Sequence, residues 1–177
     1  MEIDLSNKGL EGVLNIEQYC IDNNIDAKKV KGFVCCSNQI TELKGLDKLV
    51  NLKTLYCRNN ELTELDTSKL VNLVGLHCRN NKLTELDTSK LVNLQGLDCM
   101  YNKLTEIKGL DKLVNLFWLR CSSNKLTELD LSKLVNLEWL NGDEYIQPEQ
   151  NKLDLLTNRV EKLEQIILEI TKGKQWK

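Results

Sequence analysis

The sequence predicts an α/β solenoid: a curved parallel sheet of short strands, joined by 3-10 or irregular returns, with a helical cap at each end. Three observations carry this prediction. Cysteine recurs as Cys35, Cys57, Cys78, Cys99 and Cys121, at spacings of 22, 21, 21 and 22. Asparagine follows each three residues later, as Asn38, Asn60, Asn81, Asn102 and Asn124. Leucine-class residues sit five and two places before each cysteine, as in Leu52/Leu55, Leu73/Leu76, Leu94/Leu97 and Leu116/Leu119. Self-similarity at a period near twenty residues is the signature of stacked supersecondary units, none of which can bury its apolar face alone.

The strands come first. Leu55-x-Cys57 alternates with period two, and a strand of about three residues survives only when the next unit pairs with it. The units Leu55–Leu73 and Leu76–Leu94 differ at only two of nineteen positions, Tyr56/His77 and Glu61/Lys82. Stacked about 4.8 Å apart, such units place the cysteines in one inward ladder and the asparagines in another. Cysteine there acts as a compact hydrophobe in limited room. The longer units read "TELKGLDKLVNL", and their extra residue belongs in the outer return, where a loop absorbs it. A sixth, degenerate unit from Leu137 and Leu140 carries Gly142 at the cysteine position and Tyr145 at the asparagine position.

The pattern L-x-x-L-x-C-x-x-N-x-L, over about residues 30 to 145, resembles the leucine-rich repeat, in the short-unit class similar to bacterial internalin-like proteins. The resemblance implies that the asparagines bond backbone groups of neighbouring turns, and that the concave face binds a protein.

Three regions are predicted. Residues 1–29 form an N-terminal helical cap: "IDLSNKGL" reads as a worn repeat, and Val13, Ile16, Tyr19 and Cys20 fall at helical spacing. Residues 30–146 form the solenoid, with about six strands. Residues 147–177 carry a helix that starts near Pro148 and ends near Gly173. Leu153, Leu156, Val160, Leu163, Ile167 and Ile170 are spaced 3, 4, 3, 4, 3, a heptad seam that Ile166 and Leu168 widen. The helix either folds over the last unit or pairs with a second copy as a homodimer, and Trp176 is either a late anchor or disordered.

Function is sought where side chains point away from the ladder. One such column holds Gly32, Thr54, Gly75, Gly96, Trp118 and Trp139, and the next Val34, Tyr56, His77, Asp98, Arg120 and Asn141. Two more carry Cys36, Arg58, Arg79, Met100, Ser122 and Asp143, then Ser37, Asn59, Asn80, Tyr101, Ser123 and Glu144. Aromatic residues and arginine are the side chains protein-binding hot spots favour. The candidate partner-binding set is therefore Tyr56, Arg58, His77, Arg79, Asp98, Met100, Tyr101, Trp118, Arg120 and Trp139. The competing reading packs Trp118 and Trp139 on each other and on the last helix, and pairs the arginines with local acids. Gly75 and Gly96 would leave a flat patch between the aromatic groups.

Other functions fit poorly. Lys plus Arg number 24 against 26 Asp plus Glu, a net charge of −2, so no polyanion-binding field is expected, and Asp98, Asp143 and Glu144 oppose nucleic acid on the candidate face. His77 and Asp98 on adjacent strands could orient an imidazole, but no nucleophile motif accompanies them, so no catalytic residue is assigned. In-line cysteines cannot surround an ion, so neither metal nor other cofactor is expected; of Cys35 and Cys36, the second would face the open side. No apolar run approaches the roughly 20 residues of a membrane span. The first residues do not resemble an export signal, and seven cysteines, an odd number, suit a reducing compartment. The expected location is cytoplasmic, and delivery into a host as an effector is compatible with the same features. The sequence therefore predicts a non-enzymatic protein-binding module, with self-assembly through the last helix as the alternative.

Overall fold

A computed structural model describes residues 1–141 and 148–173, with the side chains of 148–152, 154, 155, 158, 159 and 173 left aside. Gly142, Asp143, Glu144, Tyr145 and Trp176 lie outside the described residues. In chain order the elements are β1 (Glu2–Asp4), β2 (Glu11–Asn15), α1 (Ile16–Asp22), β3 (Gly32–Val34), β4 (Gln39–Lys44), β5 (Thr54–Tyr56), β6 (Gly75–His77), β7 (Gly96–Asp98), β8 (Trp118–Arg120), β9 (Trp139–Asn141) and α2 (Pro148–Gly173). Seven of them form one parallel sheet in the order β1-β3-β5-β6-β7-β8-β9, and β2 pairs with β4 in a second. The unbroken order is that of a solenoid, each unit laid beside the one before it.

The sheet has one strand more than the repeat frame predicts. Ile3 pairs with Phe33 in register, so Leu5, two residues on, occupies the position that Cys35 holds in the next unit. The worn repeat is thus a working repeat, and the N-terminal residues are less helical than expected. Val13 belongs to β2 and is exposed; the helix starts only at Ile16, where the Asn15 side chain accepts from Gln18 N. Ile16 and Cys20 are the residues α1 buries.

One core runs the length of the stack. Phe33, Leu55, Leu76, Leu97 and Leu119 line the sheet side and are fully buried, and Cys35, Cys57, Cys78, Cys99 and Cys121 lie beside them with no disulfide. Burial pushes up the thiols of Cys57 and Cys99, and those of Cys35 and Cys78 to about 12. Each fully buried leucine is worth about 1.5–3 kcal/mol relative to exposure, so the short strands are held by their side chains more than by their ladders.

The polar half of the spine is the asparagine series. Asn81 Oδ1 accepts from Leu62 N at 3.0 Å, and its Nδ2 donates to Cys57 O and Cys78 O, both at 3.0 Å. Asn60, Asn102 and Asn124 repeat this geometry. Each amide satisfies backbone groups of two successive units that would otherwise be buried unpaired. A second asparagine series, not anticipated from sequence, stitches the outer edge: the amides of Asn51, Asn72, Asn93, Asn115 and Asn136 donate to a carbonyl of the unit before.

The returns differ with repeat length. The longer units insert a 3-10 turn, Leu46–Lys48 and Leu110–Lys112, each introduced by a glycine in the left-handed region, Gly45 at φ 80° and Gly109 at φ 74°. Side chains other than glycine rarely adopt that region, and a Cβ on Gly109 would also stand 2.5 Å from the Ser89 backbone. The remaining returns turn on Asp66, Asp87 and Asp130, whose carboxylates accept from the backbone N–H of Ser68, Ser89 and Ser132. The serine bonds hold those carboxyls below the usual carboxylate range.

The heptad seam of α2 faces solvent: Leu153, Leu156, Val160, Leu163, Ile167 and Ile170 are 49–59% exposed. The helix meets the outer edge of the solenoid through Lys162, which donates to Asn136 Oδ1, with Leu163 and Ile166 beside Phe117 and Val135.

Candidate functional site

The predicted columns lie on one face of the seven-stranded sheet, because alternation sends every second side chain away from the leucine and cysteine layer. Pairing sets Thr54 opposite Gly75, Gly75 opposite Gly96, and Gly96 opposite Trp118. Tyr56, His77, Asp98 and Arg120 follow one another across β5, β6, β7 and β8 in the same way.

Three aromatic residues from three strands form a continuous row. The rings of Tyr56 and His77 stack with centroids 4.4 Å apart and planes 20° from parallel. His77 meets Trp118 at 5.2 Å, tilted by 52°. Trp118 begins on β8, two strands from His77, and reaches it by lying over Gly96: a Cβ there would fall 2.3 Å from the indole ring. Glycine at this position is therefore a seat for the indole, and the flat patch expected at Gly96 is filled. The two tryptophans do not lean together, since Trp118 turns toward the earlier units.

The arginines are spread over Tyr56 and two further rings, those of Tyr101 and Trp139. Arg79 Cζ lies 4.9 Å from the Tyr101 ring centre, Arg120 Cζ 4.8 Å from that of Trp139, and Arg58 Cζ 5.8 Å from that of Tyr56. These distances fall within the range of cation–π attraction. The described ion pairs join Lys48 to Asp47, Lys82 to Glu61 and Lys112 to Asp111, so the pairing of these arginines with local acids does not occur among the described residues.

Two candidate residues are placed differently from expectation. Asp98 shares the outward column but is only 3% exposed, and its carboxylate accepts from Met100 N at 3.3 Å. Cys36 is likewise buried, at 8%, rather than open. Alternation fixes the side of the sheet a residue leaves from, but on a concave surface neighbouring side chains decide whether water reaches it. Tyr56, His77, Arg79, Met100 and Trp118 are half-buried, whereas Arg58, Tyr101, Arg120 and Trp139 are exposed. His77 is held below its usual pKa, first by burial and then by Arg58 and Arg120, with Asp98 opposing. Its stacked ring is neutral at neutral pH.

The column two residues after each cysteine is constrained by backbone as well as by surface. Ser37, Asn59, Asn80, Tyr101 and Ser123 all have φ between 52° and 60°. Asparagine tolerates that region better than most residues, which accounts for Asn59 and Asn80. Tyr101 holds it while presenting its ring to Arg79.

The described part of this face presents aromatic rings and guanidinium groups. Among the described residues no group of three His, Cys, Asp or Glu side chains is placed to hold a metal ion, and no helix is long and apolar enough to cross a membrane.

A parallel one-strand-per-unit sheet with buried cysteine and asparagine spines defines a leucine-rich-repeat solenoid, an architecture whose concave surfaces generally serve protein–protein interaction. The family model for Leucine Rich repeats (2 copies) matches residues 28–70 and 71–112. Among solved structures, the functional domain of InlJ from Listeria monocytogenes, which includes a cysteine ladder, is 29% identical with a TM-score of 0.67, over 81% of this chain and 32% of that one. An internalin, inlF, from the same organism is 25% identical with a TM-score of 0.61, over 66% of this chain and 37% of that one. A leucine-rich-repeat protein of Leptospira interrogans is 32% identical with a TM-score of 0.60, over 65% of this chain and 32% of that one. The chain spans about a third of the length of each of these structures. A search of curated proteins found no match. The chain has the leucine-rich-repeat fold, and its repeats resemble those of the internalin-like kind.

Proposed function

We propose that this chain is a non-enzymatic binding module that holds a protein partner on its concave face, with Tyr56, Arg58, His77, Arg79, Met100, Tyr101, Trp118, Arg120 and Trp139 as the contact set. The observation that carries this reading is the Tyr56–His77–Trp118 row with arginines spread over the adjoining rings. Aromatic and arginine side chains held in place lose little freedom on binding, and such residues dominate interface energetics. Asp98, 3% exposed, is left out of the contact set. Seven free thiols accord with a reducing, cytoplasmic setting.

Affinity capture with the full chain tests the reading. The parent should retain a defined protein, and Trp118→Ala should lose it while keeping the fold. Retention unchanged by Trp118→Ala would move the interface elsewhere.

A second reading rests on α2. Its seam of six apolar residues, about half exposed, is what a homodimeric helix pair requires. Under this reading the chain is a self-assembling scaffold. A solution mass of two chains, reduced to one by Val160→Glu with Ile167→Glu, supports it; a parent mass of one chain removes it.

A further inference from the structure

We propose that the partner presents an extended acidic segment to this face, crossing the strands from β5 to β8, an inference that rests on the concave-face reading above. Arg58, Arg79 and Arg120 make no ion pair among the described residues, and their mapped partners are the rings of Tyr56, Tyr101 and Trp139. A guanidinium lying over a ring keeps its edge N–H groups free, and that edge is a fork for a carboxylate. The ring takes the place of an acid, fixing the arginine without neutralising it.

The neighbouring charges favour an anion. Among the described residues, Asp98 is 3% exposed, and its carboxylate accepts from Met100 N. The carboxylate of Glu2 lies over Gly32 on β3, the strand beside β5, and so bounds the anion site on that side. From β5 to β8 there are three interstrand steps, about 14 Å. An extended chain covers that distance in about four residues, so acidic side chains at alternate positions, all on one side, match the arginine spread.

Nucleic acid offers the same negative charge, but the rings do not suit it. Stacking a base needs an open ring face. One face of Tyr56 is taken by His77, one of Tyr101 by Arg79, and one of Trp139 by Arg120. A peptide carboxylate needs only the arginine edges.

The test uses the full chain and a dye-labelled peptide of alternating Glu and Gly, about ten residues long. Fluorescence anisotropy should show binding that weakens about tenfold for Arg79→Gln with Arg120→Gln, and again when salt is raised from about 50 to about 300 mM. A matched Lys–Gly peptide and single-stranded oligothymidylate should bind about tenfold more weakly than the acidic peptide. Should the double variant not fold, Arg79→Gln alone should give about a threefold loss. No binding of the acidic peptide, binding indifferent to the arginine substitutions, or tighter binding of the oligonucleotide each overturns the proposal. A captured protein that depends on Trp118 but ignores salt and Arg79 would overturn the acidic segment and leave the concave-face reading standing.

Discussion

The imidazole of His77 lies nearly flat on the phenol of Tyr56, 4.4 Å from ring centre to ring centre, although the two residues belong to successive and otherwise almost identical units. One of the two differences between these units is thus also a contact between them. Stacking withdraws both rings from water and, with Trp118, ties three strands together on the side where no leucine does so.

This contact makes His77 a titratable weak point. Burial, then Arg58 and Arg120, hold its pKa below the ordinary 6.5, against the pull of Asp98. The unfolded chain therefore takes up a proton more readily than the folded one. The stability present above pH 6.5 is lost as pH falls from there through the lowered folded value. Proton NMR of the single histidine should give a midpoint below 6.5, and His77→Gln should flatten the dependence of unfolding free energy on pH in that window. A midpoint at or above 6.5 would show the ring free of the stack.

Gly96→Ala should displace the Trp118 indole, since the new methyl would occupy the ring's position at 2.3 Å. The ring can swing away where a backbone cannot, so the cost in stability should stay near 1 kcal/mol. Tryptophan emission should move to the red as the ring enters water, and partner capture should fall as it does for Trp118→Ala. Unchanged emission would contradict the seating of the indole.

The two asparagine series should differ sharply in energy. Asn81→Ala strands Leu62 N and takes a donor from Cys57 O and Cys78 O. Leaving the Leu62 N–H unpaired, with Cys57 O kept by Asn60 and Cys78 O by Asn102, should cost about 2–3 kcal/mol. Asn72→Ala removes one bond, to Val50 O, at a half-exposed position and should cost about 1 kcal/mol or less. Urea unfolding of both variants measures the gap, and equal losses would deny the inner series its role as the polar spine.

The seven thiols should be slow to react in the folded chain. Thiolate is the reactive form, and burial lifts the pKa to about 12 at Cys35 and Cys78 and well above the ordinary value at Cys57 and Cys99. A disulfide-exchange reagent should label none of them rapidly at neutral pH and all seven in denaturant. Fast labelling of Cys36 alone would mean that its covering neighbours open.

The spine was legible in the sequence because the repeat multiplies a faint signal: one Leu-x-Cys is ambiguous, whereas five in register fix direction, spacing and burial together. The bounds of α2 were legible at Pro148 and Gly173, where backbone chemistry punctuates a helix. The first strand was legible only as a worn repeat because Ile3 and Leu5 alone carry little periodicity, and the outer asparagine series was missed because it falls in the return, outside the frame set by the cysteines. The burial of Asp98 and Cys36 and the reach of Trp118 across two strands depend on how long side chains fill a concave surface. No alternation rule carries that information.

The inner amides join each unit only to its immediate neighbours. A unit duplicated or lost by genetic recombination would find the same bonding groups waiting on both sides. The near-identity of Leu55–Leu73 and Leu76–Leu94 looks like a trace of such an event. The width of the grip can therefore evolve one strand at a time without redesigning its interior.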